Sequence, residues 1–302
     1  MSYRAMGLML TYRCTAQCKM CITGSSPRRA EELSLEDGFH FIDQAKEFDL
    51  LISIAGGEPF LLLDKLGKLI EYASMKGLQV ACVTNAYWAK SEEKSFEVLK
   101  DLKNRGLAMI KVSADDFHQE FIPLENVANA MRAGIRAGLQ VQLQNTTTSV
   151  NNDTRYYGFC LAAFHNVDLS QIHANEDTRL PVGRLKELYP QSDFHPFAEL
   201  THEYDRCFKE LLVDISGDVL PCCNPLIAPI GNMKENSLRR ILDTAEENPY
   251  CNLIKEKGPI PFAHILEKEM RISFSQLKFV NECHLCTYLF SIPEVRTFFS
   301  SF

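Results

Sequence analysis

The chain has 302 residues, 46% hydrophobic and 24% charged, enough to bury a substantial core in one large domain with room for a smaller one. Its formal net charge of -7 excludes the electrostatic footprint that non-specific binding to nucleic acid or an anionic membrane requires. The apolar run at the N-terminus is broken by Thr11 and Arg13, with no small-residue cleavage pattern before the first cysteine, so it reads as the first strand of a cytoplasmic protein.

Apolar or β-branched runs at 7–13, 50–55, 78–84, 108–113, 139–145 and about 168–174 alternate with amphipathic stretches at 34–48, 62–76, 91–104 and 124–137. Parallel strands need helical crossovers, so this alternation predicts an α/β fold, a partial (βα)6 TIM-like barrel with functional loops at the strand C-terminal ends. Near Leu180–Arg184 the period is lost, which sets a boundary between a barrel over 1–185 and a small C-terminal α+β domain over 186–302. Beyond it, Leu211–Ile215 and Asp218–Leu220 read as a β-hairpin turning at Ser216-Gly217, with helices near 236–246, 264–271 and at the C-terminus.

Eleven cysteines in a reducing compartment point to metal ligands or reactive thiols rather than disulfides. Three lie within Cys14–Cys21 and six beyond residue 206, whereas structural cysteines would scatter. Cys14, Cys18 and Cys21 are spaced C-x3-C-x2-C, compact enough for one loop to wrap one inorganic cluster. Three thiolates leave one iron of a four-iron cube open, as a cluster that ligates a substrate needs. The bland alternative is a zinc site completed by a distant His or Cys.

Three further segments follow in order: Ala55-Gly56-Gly57-Glu58-Pro59 after the second strand, Val83-Thr84-Asn85-Ala86 after the third and Val112-Ser113-Ala114-Asp115 after the fourth. With the cysteine motif, this arrangement resembles the radical S-adenosylmethionine (SAM) superfamily. The resemblance implies a [4Fe-4S] cluster on Cys14, Cys18 and Cys21 that binds SAM and yields a 5′-deoxyadenosyl radical. It also implies that the backbone and carboxylate of Gly56, Gly57, Glu58 and Pro59 hold the SAM ammonium, and that Asn85, Ser113 and Asp115 meet its ribose or carboxylate. Met20 stands where many members carry an aromatic residue against adenine, and Ala86 replaces the usual glycine.

Cys207 and Cys222 are spaced C-x9-G-x4-C around Gly217, and Cys283 and Cys286 follow as C-x2-C. This resembles the twitch module, the shortened form of the SPASM extension, and implies a second, auxiliary [4Fe-4S] cluster closed by Cys207, Cys222, Cys283 and Cys286. A structural zinc site on the same four thiols is the alternative. Adjacent side chains on an extended chain point to opposite sides, so Cys223 is expected to face away from whatever Cys222 binds. Segments 84–88, 113–121, 217–225 and 283–290 resemble the radical SAM peptide epimerases that make epipeptides, which implies Cys223 as the hydrogen-atom donor, a precursor peptide as substrate and a flavodoxin- or ferredoxin-type electron donor. The rival functions are a maturase forming thioether or carbon–carbon crosslinks, a small-molecule sugar epimerase or dehydrogenase, and a non-catalytic zinc module. His118, Trp88 and Arg184 are given no catalytic part, and Cys82 and Cys160 are expected to be buried and inert.

Overall fold

A computed structural model describes residues 3–147, 154–178, 180–186, 189, 191–201 and 207–300. The first half alternates strand and helix: β1 (Ala5–Thr11), α1 (Leu35–Lys46), β2 (Leu51–Gly56), α2 (Leu63–Met75), β3 (Val80–Thr84), α3 (Glu92–Arg105), β4 (Leu107–Ser113), the short α4 (Asp116–Gln119), α5 (Leu124–Arg136), β5 (Gln140–Thr147), α6 (Thr154–His165) and β6 (Ile172–Thr178). Then come β7 (His195–Pro196), β8 (Glu210–Val213), β9 (Asp218–Leu220), β10 (Gly231–Asn232), α7 (Leu238–Glu247), α8 (Pro249–Lys257), α9 (Pro259–Met270), β11 (Lys278–Phe279), α10 (Glu282–Leu289) and α11 (Pro293–Phe299).

β1 to β6 lie side by side in chain order and pair in parallel, forming the partial barrel. One register row, Leu8, Ile54, Cys82, Ile110, Val141 and Ile172, is apolar across all six strands. This face packs on the helices: a Cβ on Gly134 of α5 would stand 2.9 Å from Val141 and 3.3 Å from Ile110. Side chains alternate along a strand, so the rows between point to the inner face of the barrel.

The C-terminal region extends this sheet. β8 pairs in parallel with the free side of β1, β9 folds back antiparallel on β8, and β10 adds to β9. The hairpin turns where the sequence indicates: Asp214 accepts from Ser216 N at 2.8 Å and Asp218 N at 3.0 Å, and Gly217 takes φ +93°. β7 and β11 form a separate two-stranded ribbon.

Three expectations need correction. The sixth strand starts at Ile172, because the Asp168 carboxylate accepts from Ser170 N at 3.0 Å and winds Leu169–Gln171 into a 3-10 turn first. α6 and α8 were not read from the sequence; Asn248 starts α8 by accepting from Tyr250 N and Cys251 N, with Pro249 as its first residue. Cys82 is buried as expected, but Cys160 is half-exposed on α6.

Candidate functional site

The strand C-terminal ends of the barrel gather the first cysteine group. Cys14 and Cys18 are buried and pack with Ala16, against which Met20, Cys21 and Phe117 of α4 close. Burial pushes the Cys14 thiol up to about 11 and Cys18 up to about 12, each raised further by neighbouring thiols. Without iron these groups hold their protons; a metal would displace them. Asn85 Nδ2 approaches Cys14 Sγ at 3.6 Å and Thr15 Oγ1 at 3.3 Å, so the end of β3 holds the start of the loop.

The two glycines bring the tip of β2 against this loop. A Cβ on Gly56, at φ +136°, would stand 2.4 Å from Thr11 O, and one on Gly57 would stand 2.1 Å from Arg13 O. Gly57 N donates to Thr11 O at 2.6 Å and Glu58 N to Arg13 O at 2.9 Å. The close approach that Gly56-Gly57 permits is therefore made first by the protein's own backbone.

Glu58 is fully buried and accepts from Thr84 Oγ1 at 2.8 Å, Asn85 N at 2.8 Å and Phe60 N at 3.1 Å. Thr84 in turn accepts from Trp88 Nε1 at 3.0 Å, and Trp88 stacks on Phe60 at 4.2 Å. Burial pushes the Glu58 carboxyl up to about 7 despite these donors. The carboxylate expected to meet an ammonium directly is thus a brace tying β2 to β3, closed to solvent in this conformation. Pro59 begins the buried 3-10 turn beside it.

Asp115 is likewise engaged by the protein itself. It is fully buried and caps α4, accepting from Phe117 N at 3.1 Å and His118 N at 3.0 Å, while its other oxygen meets His118 Nδ1 at 2.9 Å. Its oxygens serve the short helix that carries Phe117 over the cysteine loop. Ser113 stays at the edge; the fully buried Asn145 of β5, on the helix-facing side with Val141 and Leu143, has neither amide atom hydrogen-bonded among the described residues. Ala86, in the usual glycine position, adopts φ +63°, which explains the glycine preference.

Arg184 was not given this role. Its guanidinium donates to Cys18 O at 3.1 and 2.7 Å and to Ser25 O at 3.1 Å, pinning the cysteine loop from a segment 166 residues later. No sequence spacing reports such a contact, although the Gly183-Arg184 pair marked the segment.

The second group is assembled from distant parts. Cys207, Cys222, Cys283 and Cys286 line one cavity of about 520 Å3 of empty space, with Glu282, Asn224 and Phe290 among its walls. Burial, then the neighbouring thiols, push Cys222 and Cys286 well up; burial, then the Glu282 carboxylate, push Cys207 up to about 11. Cys223 does not line this cavity and is exposed, so the adjacent pair is split at a bend just beyond β9. Asn224 fixes the pair by donating to Thr287 Oγ1 on α10 at 2.7 Å. Among the described residues no three His, Cys, Asp or Glu side chains converge as around one metal ion. The thiols border a space rather than a point, which fits an inorganic cluster better than a single zinc.

The two groups lie at opposite edges. The first follows the C-terminal end of β1. Because β8 runs parallel to β1, with Ala5 opposite Glu210, and β9 returns antiparallel, Cys207 and Cys222-Cys223 fall at the N-terminal edge. The length of β1 separates the edges by roughly 20 Å at about 3.3 Å a residue.

The profile of the radical SAM superfamily matches residues 8–141, and that of the SPASM iron-sulfur cluster-binding domain matches residues 206–287. The chain thus carries a radical SAM domain over residues 8–141 and a SPASM domain over residues 206–287. A Bacillus subtilis (strain 168) protein named for peptide biosynthesis, YydG, is 22% identical over 98% of this chain and 95% of its own length. The Fe-coproporphyrin III synthase of Methanosarcina barkeri is 30% identical over 47% of this chain and 36% of its own. In fold, BtrN in complex with AdoMet and 2-DOIA matches with a TM-score of 0.53 at 14% identity, over 91% of this chain and 92% of that one. Streptococcus suis SuiB bound to precursor peptide SuiA matches with a TM-score of 0.50 at 16% identity, over 92% and 77%. The cofactors are accordingly a [4Fe-4S] cluster with SAM, and further iron–sulfur in the SPASM domain. The soft thiolate loop fits the first, and the thiol-lined cavity fits the second. No described helix is long and apolar enough to cross a membrane.

Proposed function

We propose that the chain is a peptide-modifying radical SAM enzyme that converts L-residues of a ribosomally made peptide to D-residues. The observation that carries this is the placement of Cys14, Cys18 and Cys21 at one edge of the sheet and the exposed Cys223 at the other. A substrate lying between them loses a hydrogen atom toward one side and regains one from the opposite side, which inverts the centre. The near full-length likeness to YydG and the fold shared with a precursor-peptide-bound SuiB support a peptide as substrate.

In this reading Cys14, Cys18 and Cys21 hold the SAM-binding cluster. Met20, the carbonyls of Gly56 and Gly57, Asn85 and Ser113 border SAM, and Glu58, Pro59 and Asp115 keep those contacts in place. Bound there, the cluster and SAM would supply, by one-electron cleavage, a 5′-deoxyadenosyl radical able to take the substrate Cα hydrogen into 5′-deoxyadenosine. The Cys223 S–H bond breaks and its hydrogen forms the new Cα–H bond. One electron from a flavodoxin- or ferredoxin-type donor and one proton return Cys223 to the thiol, and a second electron is consumed with each SAM. Cys207, Cys222, Cys283 and Cys286 hold one auxiliary cluster, and the chain divides into a barrel at 1–185 and an auxiliary-cluster domain at 186–302.

Product formed in deuterated water tests the reading. Inversion adds a single deuterium per residue from the exchanged thiol, whereas crosslinking removes two hydrogens and would replace this proposal with the maturase. Cys223→Ala is expected to form 5′-deoxyadenosine without any D-residue; D-residues from that variant would remove Cys223 from the reaction.

A further inference from the structure

The inner face of the barrel is built in two halves. Under β1 to β3 it is small or apolar: Gly7, Ser53 and Ala81 form one register row, and Met9 and Ala55 belong to the next. Under β4 to β6 it is polar, with Lys111, Gln142 and His173 in one row and Ser113, Gln144 and Asn175 in the row above.

Lys111 stands out in this half. Its strand neighbours Ile110 and Val112 are fully buried on the helix side, so its side chain belongs to the inner face, where it is half-buried. It makes no ion pair among the described residues. Some cations on the outside are paired, Lys19 with Glu120 at 3.0 Å and Arg136 with Glu93 at 2.7 Å, and others such as Lys68 and Lys100 are exposed to water, whereas Lys111 has neither a partner among the described residues nor full solvation. Withdrawing an ammonium from water without a counter-charge is costly, so an interior cation of this kind marks where an anion binds.

The level of Lys111 says which molecule carries that anion. It sits two residues, about 7 Å, deeper along β4 than Ser113 and the edge where SAM lies. It is therefore in the space between the two cysteine groups. Gln142 and His173, on successive strands about 4.8 Å apart, extend the row, and with Gln144 and Asn175 they offer both donors and acceptors suited to peptide amides.

We propose that Lys111 is a specificity-determining residue that binds a carboxylate carried by the peptide substrate, an Asp or Glu side chain or the C-terminus. This rests on the peptide reading above and selects within it an acidic peptide, whatever the chemistry at Cα.

The test is binding, without turnover. The reconstituted, SAM-loaded enzyme is titrated with the blocked tripeptide N-acetyl-Ala-Asp-Ala-amide and with its Asn counterpart. The Asp probe is expected to bind about ten- to a hundredfold more tightly. Lys111→Met should abolish that preference and Lys111→Arg should keep it, which separates lost charge from a lost fold. Equal affinity of the two probes for the wild type, or a preference that survives in Lys111→Met, overturns the proposal. So does an Asp probe that binds only when SAM is absent, because Lys111 would then serve the carboxylate of SAM itself. Absence of D-residues from any peptide would defeat the epimerase reading and leave this result standing.

Discussion

The two thiol groups are held in opposite ways. Cys14, Cys18 and Cys21 come from eight consecutive residues, and their geometry is imposed from outside by Gly56 and Gly57, Asn85, the Glu58 brace and Arg184. Cys207, Cys222, Cys283 and Cys286 come from a hairpin and a distant helix, and the cavity exists only because those elements pack. A local motif thus depends on remote clamps, whereas a dispersed one depends on the fold itself. Changes at the clamps should injure the first site while sparing the second.

The largest effect is expected from Gly57→Ala. The new methyl would stand 2.1 Å from Arg13 O, backbone that cannot yield cheaply. Loss of more than about 3 kcal/mol of stability is expected, with iron bound at the auxiliary site but not at the first. Iron and sulfide counts and thermal unfolding check this; equal loss of iron at both sites would erase the contrast.

Glu58 gives a pH signature. A carboxyl pushed from 4.5 to about 7 on folding holds its proton more tightly in the folded state. Its contribution to stability is full below pH 4.5 and lost as pH rises through 7. In the cluster-free protein Glu58→Gln should flatten the denaturation midpoint over that window, and an unchanged slope would assign the pH dependence elsewhere.

Arg184→Met removes three hydrogen bonds to loop carbonyls and should cost about 2 kcal/mol. Among the described residues this guanidinium forms no salt bridge, so its loss should also lower the reduction potential of the first cluster, read by electrochemical titration. An unchanged potential would limit Arg184 to holding the loop. The smallest effect is Ala86→Gly, which relieves a left-handed alanine at φ +63° but frees the unfolded chain, for a net change within about 1 kcal/mol by chemical denaturation.

Strand order was legible because each βα unit carries its own periodicity, and the cysteines because thiols at such spacing have few uses. What escaped depends on contacts across the fold. α6 has a weak apolar stripe, with Phe159 and Phe164 exposed, so no helical face announces it. The sixth strand was displaced because Leu169 looks like strand until Asp168 caps it into a 3-10 turn. Glu58 and Asp115 were expected at this edge, but the sequence could not report the partners that hold them there, Thr84, Asn85 and His118. Lys111 looks like any surface lysine until the register puts it on the inner face.

The pairing of β8 with β1 bears on how the chain is made. β1 is made well before β8, so one of its two edges finds its partner only when Glu210–Val213 arrives some two hundred residues later. Until then that edge is an open template for other strands, so nascent chains stopped near residue 185 are expected to aggregate where the full chain does not. The same late pairing delays the final shape of the strand that leads into Cys14, so iron is expected to load at the first site only after translation has passed β8.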